Sequence, residues 1–210
     1  MVLSKLTFSI LSFMVCASVS AAEVDHSMHG MNHDMHAMHH DMNHEVANVV
    51  ISTQNYATPD VSMVREDGQR VSLKDALSDA RPVLMSFIYT DCTAICPLIS
   101  QTMAQFQGML GANQDAVQII SISIDPEQDT PAKLADYASH YGAGSSWHHY
   151  TGTLKESVTA QMAFNVYRGD KMNHTPVYLL RSKPGAPWIR LDGFAKAEQL
   201  FEQYQKMINF

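Results

Sequence analysis

The sequence predicts an α/β domain: a central mixed β-sheet flanked by helices, with an N-terminal hairpin. Three observations carry this expectation. Residues 83–89 (VLMSFIY) form a nearly unbroken apolar run, as a strand covered on both faces requires. A second such run follows at 117–124. Segments with apolar residues at helical spacing separate and follow these runs, and strands alternating with helices specify layers of helix packed on a sheet.

In chain order, Asp67-Gly68 lies between residues 61–64 and Val71 and marks the hairpin turn. After the strand at 83–89, Pro97 suits a first helical turn, and Ile99, Met103, Phe106 and Leu110 continue at helical spacing. Thr130-Pro131 opens a helix toward His140, and Thr153 with Glu156 has capping-box spacing for a helix ending near Phe164. Residues 177–180 and 188–191 read as adjacent strands joined at Pro184-Gly185. Leu200, Phe201, Tyr204, Met207 and Ile208 mark a last helix.

The chain of 210 residues suits one domain plus extensions, at about 150 residues per domain. Residues 1–22 read as an export signal: Lys5, an apolar run from 6 to 19, then Ser20, Ala21 and Ala22. The run is shorter than the ~20 residues that span a bilayer comfortably, which favours cleavage over a permanent anchor. Cys16 follows Met14 and Val15 rather than a small residue, so lipidation there is not expected. The net charge of −7 is concentrated at 23–46, which carries −5, and no segment is basic enough for the counterion release on which nucleic-acid binding leans.

Residues 23–48 read as a disordered metal-binding tail, and 49–210 as the folded domain. The stretch 26–44 holds seven of the eleven histidines and five of the fourteen methionines. Its candidate donors are His26, Met28, His29, Met31, His33, Met35, His36, Met38, His39, His40, Met42 and His44. A coiled-coil heptad would need branched aliphatic residues, which this stretch lacks.

Cys92 and Cys96 follow the first buried strand directly, at the end of a strand and the start of a helix, where α/β sheets place chemistry. Four residues apart on a helical turn, their Cα atoms come within about 6 Å, close enough for a disulfide or for one soft metal ion. Free amides at the helix start favour thiolates. A structural disulfide is the plain alternative in an export compartment, but so small a loop would add modest stability.

Residues 83–97 (VLMSFIYTDCTAICP) resemble the copper-site strand and Cys-x-x-x-Cys-Pro motif of the SCO/SenC family. Residues 122–131 (ISIDPEQDTP) and Asn173-His174-Thr175 ahead of 177–180 resemble two further blocks of that family. The resemblance covers about 55–205 and implies a thioredoxin-like fold, exported, delivering copper during cytochrome c oxidase assembly. It also implies that Cys92, Cys96 and His174 are ligands of one copper ion in the domain. Ligand chemistry agrees: thiolates select Cu(I), and imidazole suits Cu(I) and Cu(II). The implied recipient is the dinuclear copper site of cytochrome c oxidase subunit II, or another exported cuproprotein, with copper donor and thiol reductant proteins as further partners. The implied location is the bacterial periplasm, soluble after signal cleavage, or anchored to the inner membrane by an uncleaved leader. The resemblance thus implies a metallochaperone rather than an enzyme with turnover, with thiol-disulfide reductase activity left open.

Two other readings stay open. Pro176, two residues after His174, stands where thiol-disulfide oxidoreductases carry a cis-proline, although a trans proline opening a strand is the expectation. Such an oxidoreductase would act on exported cuproproteins through the redox-active pair Cys92 and Cys96. Thr93-x-x-Cys96 resembles the peroxiredoxin motif, with Cys96 attacking peroxide and Cys92 resolving. Asp91, Asp125 and Asp129 are candidate loop-fixing groups. His140, His148 and His149 read as surface residues.

Overall fold

The computed structural model describes residues 49–209. The export signal, Cys16 and every candidate donor of the 23–48 run lie outside the described residues. The strands are β1 (Val50–Gln54), β2 (Ser62–Arg65), β3 (Arg70–Ser72), β4 (Val83–Ile88), β5 (Gln118–Ser123), β6 (Trp147–Thr151), β7 (Val177–Arg181) and β8 (Trp188–Asp192). The helices are α1 (Leu73–Ala76), α2 (Ile95–Met109), α3 (Pro131–His140), α4 (Leu154–Ala163) and α5 (Ala197–Ile208).

All eight strands join one sheet in the order β1-β8-β7-β4-β5-β6-β2-β3. The sheet is mixed as expected: β4, β5 and β6 run parallel, while β7 runs antiparallel to β4 and β8 to β7. Every residue of β4 and β5 is buried, so the apolar runs that announced them lie under cover on both faces. Each fully buried Leu, Ile or Phe there stabilises the fold by about 1.5–3 kcal/mol relative to exposure.

Local signals account for most boundaries. Gly68 takes φ +83° in the hairpin turn between β2 and β3, a conformation natural to glycine. Thr130 caps α3 with Pro131 behind it, and Thr153 and Glu156 form the reciprocal capping box of α4. Asn165 ends α4 in the left-handed region at φ 53°. On α2, Phe106 meets Phe201 and Tyr204 of α5 edge-on, with ring centroids 6.2 and 5.8 Å apart.

Three elements went unread in the sequence. β1 precedes the hairpin, so the hairpin is the second feature of the domain rather than its first. It is an edge strand with three of its five residues exposed, and an exposed edge has no continuous apolar pattern to announce it. In β6 the two histidines of WHHYT interrupt the apolar pattern, and α1 spans only four residues. No helix among the described residues is long and apolar enough to cross a membrane.

Candidate metal centre

The site lies at the C-terminal end of β4, where the chain turns through Tyr89, Thr90 and Asp91 before entering α2. Asp129, fully buried, holds this turn: its carboxylate accepts the Thr90 N–H at 3.1 Å and the Thr90 hydroxyl at 2.6 Å. It also accepts the Ser123 hydroxyl at 2.5 Å, which ties the loop after β4 to the end of β5. Burial pushes the Asp129 carboxyl up against the lowering effect of these donors. This is the loop-fixing role read for Asp129 from the sequence.

Helix α2 has no side-chain cap of the usual kind, since its N-cap residue is Ala94. The Cys92 sulfur stands in, accepting the Cys96 N–H at 3.4 Å. Burial would push the Cys92 thiol up, but the Cys96 and Ala94 amides, the Tyr89 hydroxyl and the Cys96 thiol outweigh it and bring the pKa down to about 7. Cys96 differs. Its sulfur accepts the Tyr89 N–H at 3.4 Å, yet complete burial, with Cys92 beside it, holds its thiol far above the ordinary range. Both cysteines are free thiols. One sulfur at the rim is poised as a thiolate at neutral pH and the other is a neutral thiol beneath it. A peroxidase using Cys96 as its attacking thiolate would need the reverse.

His174 ends a short 3-10 turn, Lys171–Asn173, just before β7. Because β7 is antiparallel to β4, with Ser86 opposite Tyr178, the segment leading into β7 lies at the same sheet end as the cysteines. The ring is 5% exposed, and its Nε2 lies 3.0 Å from the Phe87 carbonyl. A carbonyl only accepts, so Nε2 carries the hydrogen and Nδ1 keeps its lone pair. Burial lowers the imidazole pKa, which keeps the ring neutral as a ligand must be. The ring also walls a cavity of about 370 Å³ with Asp125, Gln161, Arg168 and Lys171.

The structure thus brings Cys92 and Cys96 together and sets His174 at the same end of the sheet. It does not close the three into one cluster: among the described residues no three His, Cys, Asp or Glu side chains stand together as they would around a metal ion. The peptide before Pro176 is trans.

Sequence reasoning overlooked Tyr89, whose hydroxyl helps lower the Cys92 pKa and lies 3.8 Å from the Met172 sulfur. It also overlooked Lys171, which pairs with Asp125 and lies 5.5 Å from the Tyr89 ring centroid. Met172, a soft donor two residues before His174, was visible in the sequence. The pairing of Lys171 with Asp125 was not, because 46 residues separate them. The surface reading of His149 is corrected. Its ring is fully buried, stacked on Trp147 with centroids 5.3 Å apart, and neither nitrogen has a partner. β6, paired in parallel with β5, buries whatever side chain its register turns inward, and the two consecutive histidines hid which one that was. His148 instead faces outward and pairs with Glu66 at 2.9 Å.

The SCO1/SenC family model matches residues 50–209, all of the described residues but Val49. A SCO1 homologue of Bacillus subtilis is 35% identical over 105 residues, covering 50% of this chain and 53% of that protein. A protein of Stutzerimonas stutzeri named for copper binding is 32% identical over 99 residues, 47% of this chain and 48% of that one. The chain therefore spans about half the length of the curated relatives it matches. The solved structure of BsSco, described as a cytochrome c oxidase assembly protein with a disulfide switch, superposes with a TM-score of 0.63 at 26% identity. The match covers 75% of this chain and 96% of that one. On the family match, the fold and the shared sequence blocks, this chain belongs to the SCO1/SenC family.

Proposed function

We propose that the protein is an exported copper metallochaperone that delivers copper to the dinuclear copper site of cytochrome c oxidase during its assembly. One observation carries the reading. Two free thiols four residues apart sit at a helix N-terminus, one of them held near neutrality as a thiolate. Such a pair captures a soft monovalent ion, and the open nitrogen of His174 is a third donor once the ring and the loop close together. The name of the Stutzerimonas stutzeri relative supports copper, and the description of BsSco supports oxidase assembly. Copper is cargo here, held by Cys92, Cys96 and His174. The run at 23–48 contributes weak, exchanging histidine and methionine sites that raise the copper supply.

In the same reading, thiol state is the switch. Oxidation of Cys92 and Cys96 passes two electrons to an oxidant, leaves any remaining thiol proton to solvent and joins the sulfurs, which withdraws both donors from the metal. The test is anaerobic titration of the reduced protein lacking residues 1–48 with Cu(I), read by X-ray absorption. The expected complex is stoichiometric, with two sulfurs and one nitrogen. Negligible binding would overturn the proposal.

A second reading, thiol-disulfide exchange on an exported cuproprotein, is favoured by the asymmetry of the pair, a low-pKa Cys92 nearer the surface than the fully buried Cys96. His174→Ala separates the two. It lowers copper retention by about tenfold or more under the first reading and leaves both copper retention and exchange rates unchanged under the second.

A further inference from the structure

We propose that Met172 is a landing ligand for Cu(I): its thioether and the Cys92 sulfur form an outer two-sulfur position that the metal occupies before it reaches the buried Cys96. The inference rests on the copper reading of the cysteine pair and adds to it the route by which the ion enters.

Met172 is 72% exposed, more than any other large apolar side chain among the described residues. No packing contact of the core explains a methionine there. Its position is nevertheless held on two sides. The Asp170 carboxylate accepts the Met172 N–H at 2.9 Å, and the adjoining Lys171 is paired with Asp125. The turn therefore fixes the backbone that carries the thioether, directly before the His174 segment.

That place is next to the cysteines. The Tyr89 hydroxyl lies 3.8 Å from the Met172 sulfur and is near enough to the Cys92 thiol to help lower its pKa. A phenol has one proton, which Tyr89 directs at the Met172 sulfur, so the same hydroxyl stands beside the thioether and the Cys92 thiol. The unbranched methionine chain has three rotatable bonds with which to close the gap between the two sulfurs. Thioether and thiolate are both soft donors that select Cu(I).

Burial dictates the order of arrival. Met172 stands in solvent, Cys92 is 8% exposed and Cys96 is fully buried. An incoming ion must meet the first two sulfurs before the third. The metal remains Cu(I) throughout. The Cys96 thiol releases its proton to solvent as its sulfur bonds to copper, and the Met172 sulfur leaves the metal in exchange.

The test uses the reduced full chain in a Cys16→Ser background, so that every cysteine signal comes from Cys92 and Cys96. Copper is supplied anaerobically as the Cu(I) acetonitrile complex, and loading is followed in a stopped-flow instrument by the ultraviolet cysteinate-to-copper band. Met172→Leu and Met172→Gln, which remove the sulfur from an exposed position, should slow loading by about tenfold. Equilibrium affinity, measured against a competing Cu(I) chelator, should stay within about threefold. Met109→Leu, at the far end of α2 and about 20 Å from Cys96, should change neither. Unaltered loading in both Met172 variants would overturn the proposal while leaving the cysteine site standing. A matching fall in affinity would also overturn it, since Met172 would then be a permanent ligand. Absence of Cu(I) binding in the unsubstituted chain would instead remove the copper reading on which it rests.

Discussion

The sulfur of Cys92 accepts the backbone N–H of Cys96 across 3.4 Å, so the first cysteine caps the helix that presents the second. This contact divides the labour of the pair. It stabilises negative charge on the outer sulfur, and the same helix buries the inner one where charge is costly.

Alkylation should report that division. In metal-free, reduced protein the rate of Cys92 modification by iodoacetamide should rise with a midpoint near pH 7, while Cys96 stays unmodified across the same range. Peptide mass spectrometry against pH measures both. A common midpoint near that of an ordinary thiol would contradict the capping role.

Loss of Asp129 should loosen the cysteine loop. Asp129→Ala leaves the Thr90 N–H and hydroxyl and the Ser123 hydroxyl without their acceptor, a cost of about 3 kcal/mol. The urea midpoint should fall accordingly, and Cys92 should lose part of its enhanced reactivity as the turn relaxes. Unchanged stability would mean that water replaces the carboxylate at no cost.

Stability should also fall in mild acid because of His149. Burial lowers its pKa from 6.5 to about 4, against the raising effect of Glu66 and with a further lowering by His148. The native ring is neutral in that interval while the unfolded ring takes up a proton, so the unfolded state binds more protons. The contribution is therefore fully present above pH 6.5 and is lost as pH falls toward 4, the loss reaching about 3 kcal/mol at the low end. Urea unfolding at several pH values should show this slope, and His149→Phe, which keeps an aromatic ring against Trp147, should flatten it. An equal slope in the variant would assign the acid sensitivity elsewhere.

Diamide treatment should couple oxidation to metal loss. Once Cys92 and Cys96 are joined, the protein should bind Cu(I) at its domain site at least about tenfold more weakly, and reduction should restore it. Thiol counting and a chelator competition on the same samples check this, with a Cys16→Ser, Cys92→Ser variant as the insensitive reference.

Much of the architecture was legible because its signals are local. The runs at β4 and β5 reveal double-sided burial through composition alone, and Thr130-Pro131 and Thr153 with Glu156 mark helix starts through contacts spanning three residues. β1 escaped notice because an edge strand shares only one side with its sheet. His149 was misread because its burial depends on which face of β6 the sheet register turns inward.

The same boundary runs through the site. Cys92 and Cys96 are four residues apart, so adjacency and helix-start placement follow from covalent spacing and helical geometry, and chain chemistry alone names them as soft donors. Their unequal proton affinities do not follow from spacing, because burial and the Tyr89 hydroxyl come from the packed fold. Nor does the free nitrogen of His174, which exists because antiparallel β7 carries that ring to the Phe87 carbonyl of β4. The meeting of Tyr89 with Met172 joins residues 83 positions apart. Contacts at such separation are created by strand order, and strand order is an outcome of collapse around a shared core rather than a property of any short stretch of chain.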